Sequence, residues 1–428
     1  MFDSLNRRNL LKYGAATGVG AAMAGFWTRP VRAADAALNV FCPLPPDPAP
    51  PGAAEFAKEA FAKWQADHAA SVTYEKLGWS QLHDRMATAF ASGSAPWDII
   101  YNCGWVPEFQ SFLAPYADQL PKDVVDDLPP SSFKTVTIDA KRYGAVFTLS
   151  LLTLFYNREH LEKVGLKEAP KDWAEFKAYA KELTGGGRYG LVFNYGDPAG
   201  IGGTASYWMV FLQQAGGKMY GEDRMPVFNN AAGVDALQMM VDLMAWTDPG
   251  SISYANINDA TNVLLSGRAS MMMNWPFMWN TANDPNQSQI VGKVSSAVLP
   301  AGPAGTASID GTDAWTVAKA SKNQDKAREL IEFYLSPEVQ KRQVLDTGWL
   351  PIRLSVLADP EVQAKAPNAA VVLEQAKHPY DSFVTPDYNE VTVAVGTQVQ
   401  QALQGQKTAA QAMADAHDAV VAIVKRRG

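Results

Sequence analysis

Beyond residue 33 the 428-residue chain has no apolar run of the roughly 20 residues that a membrane-spanning helix needs, so the body of the chain is expected to be soluble. Cysteine is nearly missing, with two in the whole sequence, which excludes a disulfide-stapled scaffold. Histidine is scarce and scattered: His68, His83, His160, His378 and His417 show no paired spacing that would seat a metal. A G-x-S-x-G elbow, a P-loop and a strand followed by G-x-G-x-x-G are all absent, which removes the usual motif routes to a hydrolase, a nucleotide-binding enzyme or a dehydrogenase. No cofactor is expected. Positive charge is also in deficit, with a net charge of −7, and that argues against nucleic acid and anionic lipid, both of which are bound through basic patches.

What the chain does have begins with an export address. Asn6-Arg7-Arg8-Asn9-Leu10-Leu11-Lys12 sets paired arginines before a Gly/Ala-rich apolar run from Tyr13 to Trp27, the pattern of a twin-arginine signal. Val31 and Ala33 suit a signal peptidase, so residues 1–33 are expected to be removed. Their loss takes away five basic side chains and one acidic one, moving the net charge from −7 to −11. Cys42 stands too far from that cut to carry a lipid anchor, and a free protein exported this way is retained by an outer membrane, which points to the periplasm.

Nearly 400 mature residues exceed the usual limit of one core, so more than one domain is expected. Strand Leu38–Cys42, a Pro-rich loop through Pro51, a helix over Ala53–Asp67, strand Ser71–Lys76, a helix over Ser80–Ala91 and strand Asp98–Cys103 alternate as in a parallel sheet covered by helices. Such a sheet binds ligands beyond the carboxyl ends of its strands. Cys42 and Cys103 each end an apolar strand, which leaves open either a disulfide or two buried thiols. Tyr143 to Asn157 is too long for an average strand and too rich in aromatics and Thr for a helix, and it reads as a crossover into a second domain. Val294–Pro300 and Gly348–Arg353 read as two more crossovers, and helices are expected near 158–164, 172–184, 204–215, 231–246, 259–266, 324–336 and from Thr408 onward.

Seven stretches in order resemble a known family. Phe90 to Ile100 is similar to an "ASG-x-x-PD-hydrophobic" segment with Trp97 inserted, and Tyr143–Val146 with Leu154–Glu159 to "YG-hydrophobic-P … LYYNK". Pro170–Phe176 is similar to "PKTWDEF", and Leu265–Trp279 to "F-x-x-GKAAM … GPW". Leu299-Pro300, Ser321–Asn323 and Leu403–Thr408 follow in the same order. The pattern is that of the family 1 extracellular solute-binding proteins of ABC importers, the maltose-binding-protein-like family. The resemblance implies an α/β, two-lobed periplasmic binding protein fold of type II, each lobe a mainly parallel sheet with flanking helices, joined by two to three hinge crossovers. It places 34–145 plus 301–348 in an N-terminal lobe and 146–300 plus 349–428 in a C-terminal lobe. It further implies a small-molecule ligand, a sugar or polyol, held between the lobes, and ABC permease subunits as partners; a monomer is expected.

A sugar offers flat C–H faces ringed by hydroxyls, so its site needs aromatic planes and planar polar groups. Trp79 and Trp105 fall in loops at strand ends of the first lobe, and Trp275, Phe277 and Trp279 follow a strand of the second, the last two at the family's ligand-facing "PW-x-W" positions. Tyr207 and Trp208 open a helix that the family turns toward the cleft, and Trp349 begins the third crossover. For polar contacts the candidates are Asp47, Asn102, Ser150, Asp310, Asp313 and Arg353. Half-buried packing is the alternative for each aromatic ring, and a solvated turn for Asp310 and Asp313. Where the family often carries an acid or amide after its "YG" turn, Phe147-Thr148-Leu149-Ser150 offers only hydroxyls. A charged solute such as a glycerol phosphate or a peptide-like compound, held by Arg353, is the second reading. A secreted carbohydrate-active enzyme using Asp310 and Asp313 is the third.

Overall fold

The computed structural model describes residues 36–42, 62–77, 79–199, 202–311, 313–379 and 385–427. The expected signal segment, the Pro-rich loop and Asp47 lie outside them. Among the described residues twelve strands fall into two principal sheets and a hairpin. Strands β1 (Ala36–Cys42), β2 (Ala70–Lys76), β3 (Ile99–Cys103), β4 (Leu113–Ala114), β7 (Gly144–Val146) and β12 (Asp313–Ala318) form the first. The second holds β8 (Thr153–Asn157), β9 (Tyr189–Leu191), β10 (Ala269–Asn274) and β11 (Val294–Ala297) in the order β11-β8-β10-β9. The short strands β5 (Thr137–Ile138) and β6 (Lys141–Arg142) pair through a turn with Asp139 and Ala140 at positive φ, as a tight hairpin requires.

The expectation of mainly parallel sheets is corrected here: both are mixed. β1 runs parallel to β2 and β3, but β12 is antiparallel to β3, β4 and β7. In the second sheet only β9 and β10 are parallel, and β8 is antiparallel to both neighbours. The cause is topological. A strand that enters a sheet from the other half of the molecule arrives running opposite to strands laid down by helical crossovers.

The long apolar segment 143–157 resolves into β7 and β8 with a linking passage between them. Local chemistry sets the flanking helices. Asp172 caps the helix Trp173–Glu182 by accepting from Glu175 N at 2.8 Å, while the Glu175 carboxylate accepts from Lys171 N at 2.9 Å. Pro337 begins a new helix, Pro337–Thr347, behind the cap Ser336, so the preceding helix, Gln324–Tyr334, stops rather than kinks. Cys42 and Cys103 are both buried thiols outside any disulfide. The register Phe41↔Ile100 offsets them by two residues, which sets their Cα atoms about 8 Å apart, too far for a disulfide. Among the described residues no helix is long and apolar enough to cross a membrane.

Candidate functional site

Both sheets end at one junction. β12 begins where β3 ends, with Asp313 opposite Cys103, and β10 ends opposite the start of β8, with Asn274 facing Thr153. Between these edges run three backbone passages that bond to one another. Phe147 N donates to Asp313 O at 3.1 Å, Leu149 N to Leu350 O at 3.1 Å, and Gly311 N to Ser150 O at 2.8 Å. Ser308 Oγ donates to Leu152 O at 2.8 Å and Thr148 Oγ1 to Leu350 O at 2.7 Å. The close approach at Gly311 needs glycine, because a Cβ there would sit 2.9 Å from Ser150 Oγ. The second passage therefore lies at Ser308–Gly311, later than Val294–Pro300, whose first residues are β11 and whose last leads to Ala301, bonded to Lys171. The third segment joins the bundle at Leu350 and Pro351, just after Gly348, where a Cβ would fall 2.8 Å from Asn280 Cγ in the second half. Beyond it Leu354 N donates to Asp127 O and Lys341 pairs with Asp359 in the first half, before Asn368 Nδ2 donates to Pro276 O at 3.0 Å in the second.

Several polar groups at this junction are buried with a donor or hydroxyl that no described residue satisfies. They are Asn102 Nδ2, Trp105 Nε1, Thr153 Oγ1 and the Tyr195 hydroxyl. Each such atom is costly unless something occupies the site. Asn102, wholly buried in β3, uses its Oδ1 to accept from Trp105 N at 2.9 Å, which fixes the turn that carries Trp105. Trp275 lies against Gly202, whose φ of +89° admits no other residue comfortably; a Cβ there would be 3.1 Å from Trp275 Nε1. That loop is held by Asn194, which donates Nδ2 to Gly202 O at 2.8 Å and accepts from the Tyr207 hydroxyl at 2.7 Å.

The acids sit on the same edge. Asp310 and Asp313 are both buried. Asp313 accepts from the Tyr101 hydroxyl and, at 3.8 Å, from Cys103 Sγ. Burial drives its carboxyl up to about 7; the Tyr101 hydrogen bond opposes the shift and the charge of Asp310 adds to it. Neither carboxylate is a solvated turn residue.

The other candidates are distributed as follows. Trp79 opens the helix Trp79–Ala91 just past β2. Ser150 and Trp349 are half-buried on the passages, and Trp349 stacks on Phe147 with centroids 6.3 Å apart. Phe277 and Trp279 are half-buried at the start of the helix Met278–Asn283. Three placements differ from expectation. Trp208 is wholly buried, with its ring against Phe228 and its Nε1 on Gly233 O at 3.3 Å, because it faces the neighbouring helix Ala231–Leu243. Tyr207 is wholly buried and reaches the junction indirectly, through its hydrogen bond to Asn194 and its edge-on contact with Tyr195. Arg353 is buried and already engaged: its Nη1 pairs with Asp127 Oδ2 at 3.1 Å and its Nε donates to Leu335 O.

Residues not anticipated also reach the junction. Tyr195 follows β9, and Tyr388, 1% exposed, heads the helix Tyr388–Leu403; burial, and then the Cys103 thiol, raise its phenol. That helix braces the Tyr195 loop, with Gln400 Nε2 donating to Tyr195 O at 2.6 Å. Its apolar positions Val391, Val395, Val399 and Ala402 carry a helical period that marks it in the sequence. Two concavities of about 580 and 400 Å³ lie elsewhere, beside Phe133 and Arg142 and at Lys167–Lys171, and hold none of the candidate ligand residues. Among the described residues no group of three or more His, Cys, Asp or Glu could hold a metal ion.

Comparison with known proteins matches residues 49–341 to the family model "bacterial extracellular solute-binding protein". A relative from Sinorhizobium fredii, named as a probable amino-acid ABC transporter periplasmic-binding protein, is 27% identical over 372 residues, 84% of each chain. The maltose-bound MalE3 of T. maritima has a TM-score of 0.80 at 26% identity, covering 90% of this chain and 99% of that one. A Thermotoga lettingae ABC transporter solute-binding protein bound with alpha-D-tagatose has a TM-score of 0.78 at 26% identity, covering 91% and 98%. The fold is that of the type II periplasmic binding proteins.

Proposed function

Because the chain belongs to the bacterial extracellular solute-binding protein family, we propose that it captures a sugar, small oligosaccharide or polyol between two lobes and hands it to the permease subunits of an ABC importer. One observation carries the choice of ligand. Among the described residues, the junction holds buried hydrogen-bonding atoms without partners beside the rings of Trp105 and Tyr195, with Trp275 on the same edge, and Arg353 is already paired. Rings and unfilled donors suit a neutral polyhydroxylated solute. The lobes are approximately 34–145 plus 301–348 and 146–300 plus 349–428, with the contact of Ala301 to Lys171 favouring a later entry into the first lobe, at Ser308–Gly311, and those of Leu354 and Asp359 a later exit from it. The protein works as a monomer without a cofactor, and its task is binding and release rather than turnover. Residues 1–33 direct it to the periplasm by the twin-arginine route.

A charged solute is the second reading, favoured by the name of the Sinorhizobium relative. An α-carboxylate needs a cation or a helix N-terminus, and the ion pair of Arg353 counts against the first. Native mass spectrometry of protein purified from its own cells, followed by titration with maltose, D-tagatose, D-mannitol and free amino acids, separates the two. A retained neutral polyol with a matching rise in melting temperature is expected; an amino acid that binds while every sugar fails would reverse the assignment.

A further inference from the structure

His83 lies one turn into the helix Trp79–Ala91, and its side chain is 14% exposed. Its Nε2 stands 2.9 Å and 3.0 Å from the two carboxylate oxygens of Glu108, and its Nδ1 is 3.2 Å from Asp84 Oδ1. Carboxylates only accept, so both ring nitrogens are satisfied when both carry protons. A neutral imidazole would turn a lone pair toward one of the acids. The ring also packs edge-on against Trp105, with centroids 5.5 Å apart and planes at 60°, and tilts onto Phe109. Trp105 is thus held from two sides, its backbone by Asn102 and its indole by the imidazole, while its own Nε1, in a residue 7% exposed, has no partner among the described residues.

We infer that His83 is a positioning residue for Trp105: pinned by Glu108, it fixes the indole from behind, so the setting of the ring, and with it ligand affinity, follows the protonation of one imidazole. The inference rests on the reading of Trp105 as a ligand contact. The groups that face the imidazole are Asp84 on its own helix and Glu108 on Val106–Phe109; Asp387, at the head of the helix Tyr388–Leu403, feels the charge of Glu108 in turn. Burial of the imidazole works against the proton, but Glu108 and then Asp84 outweigh it, and the group titrates above the ordinary imidazole range. Below about pH 6.5 the cation bridges the two acids. Above its raised value the cation is lost, Glu108 and Asp84 lose their shared proton donor, and the indole loses its support.

The test has one arm without ligand and one with it. Protonated imidazole quenches indole emission, so the tryptophan fluorescence of the ligand-free protein is expected to rise in a step centred above pH 6.5. The step should vanish in H83Q and in W105F, and its midpoint should move down in E108Q, a shift that a merely structural role would not produce. A step that survives H83Q, or no step at all, overturns the inference. Calorimetry with maltose and with D-mannitol at pH 6.0 and 8.5 is the second arm. The expected loss of affinity is roughly threefold to tenfold at the higher pH, abolished in H83Q. A wild-type affinity indifferent to pH would refute the link to binding. Silence from both solutes with the fluorescence step intact counts against the sugar reading and leaves the coupling of His83 to Trp105 established.

Discussion

Asp313 is a buried acid whose proton is worth free energy to the folded state. Its carboxyl titrates near 7 in place and near 3.8 when free, so between those values the native protein holds a proton that the unfolded chain has released. Stability therefore falls as pH climbs from about 4 to 7 and then levels, by up to a few kcal/mol. D313N, which can still accept from Tyr101, should raise the melting temperature more at pH 8 than at pH 4; an equal gain at both would show that the charge is not the cause. Arg353 makes the opposite case. R353M removes one partner of Asp127, whose carboxyl is held low because hydrogen bonds from Ser355 and Arg353 outweigh the effect of burial, and with the Ser355 bonds kept it should lose about 1–2 kcal/mol of stability. Provided the variant is assayed well below its melting point, sugar affinity should be unchanged; a large loss of binding would restore Arg353 to the site.

The sequence made some of these residues legible and hid others. Asn102, Trp105, Asp310 and Asp313 could be placed because they flank strands whose ends are readable from apolar runs. Trp208 and Arg353 could not, since only tertiary neighbours such as Phe228 and Asp127 decide which way a long side chain turns.

At the scale of elements, Gly202, held by Asn194, works as a cradle for Trp275. G202A places a methyl group against the indole and strains a left-handed backbone. It should weaken sugar binding by roughly tenfold, or about 1.4 kcal/mol, read by fluorescence titration. G202A combined with W275F should recover part of that loss if steric contact is the cause, and no recovery would point to backbone strain alone. The helix Tyr388–Leu403 carries an apolar period but also a residue that blurs it. Gly396 at its middle disfavours a helix by about 1 kcal/mol relative to alanine. It is there because a Cβ would fall 1.9 Å from Pro198 O, so the helix touches the cradle loop backbone to backbone. The first three strands and most of the longer helices followed from periodicity, whereas the antiparallel entry of β12 depended on a partner some 210 residues away.

The whole molecule is two sheets tied by passages that share backbone hydrogen bonds, so the halves should hinge as stiff units about Phe147–Leu152 and Ser308–Gly311. Small-angle scattering should show a smaller radius of gyration on adding a bound sugar, with a melting temperature raised by the equivalent of about 2.7 kcal/mol at a hundredfold excess over Kd. Unchanged scattering together with a clear thermal shift would mean that binding occurs without closure.

β12 sits between β3 and β4, so the ribosome must deliver Asp313 through Ala318 before the earliest-made sheet can be completed. At ordinary rates of synthesis the gap between Cys103 and Asp313 lasts about 10 to 40 seconds, during which the inner edge of β3 stands unpaired. A nascent chain in that interval is a natural client for chaperones. Export that waits for a finished fold would spare the membrane machinery from meeting it half made.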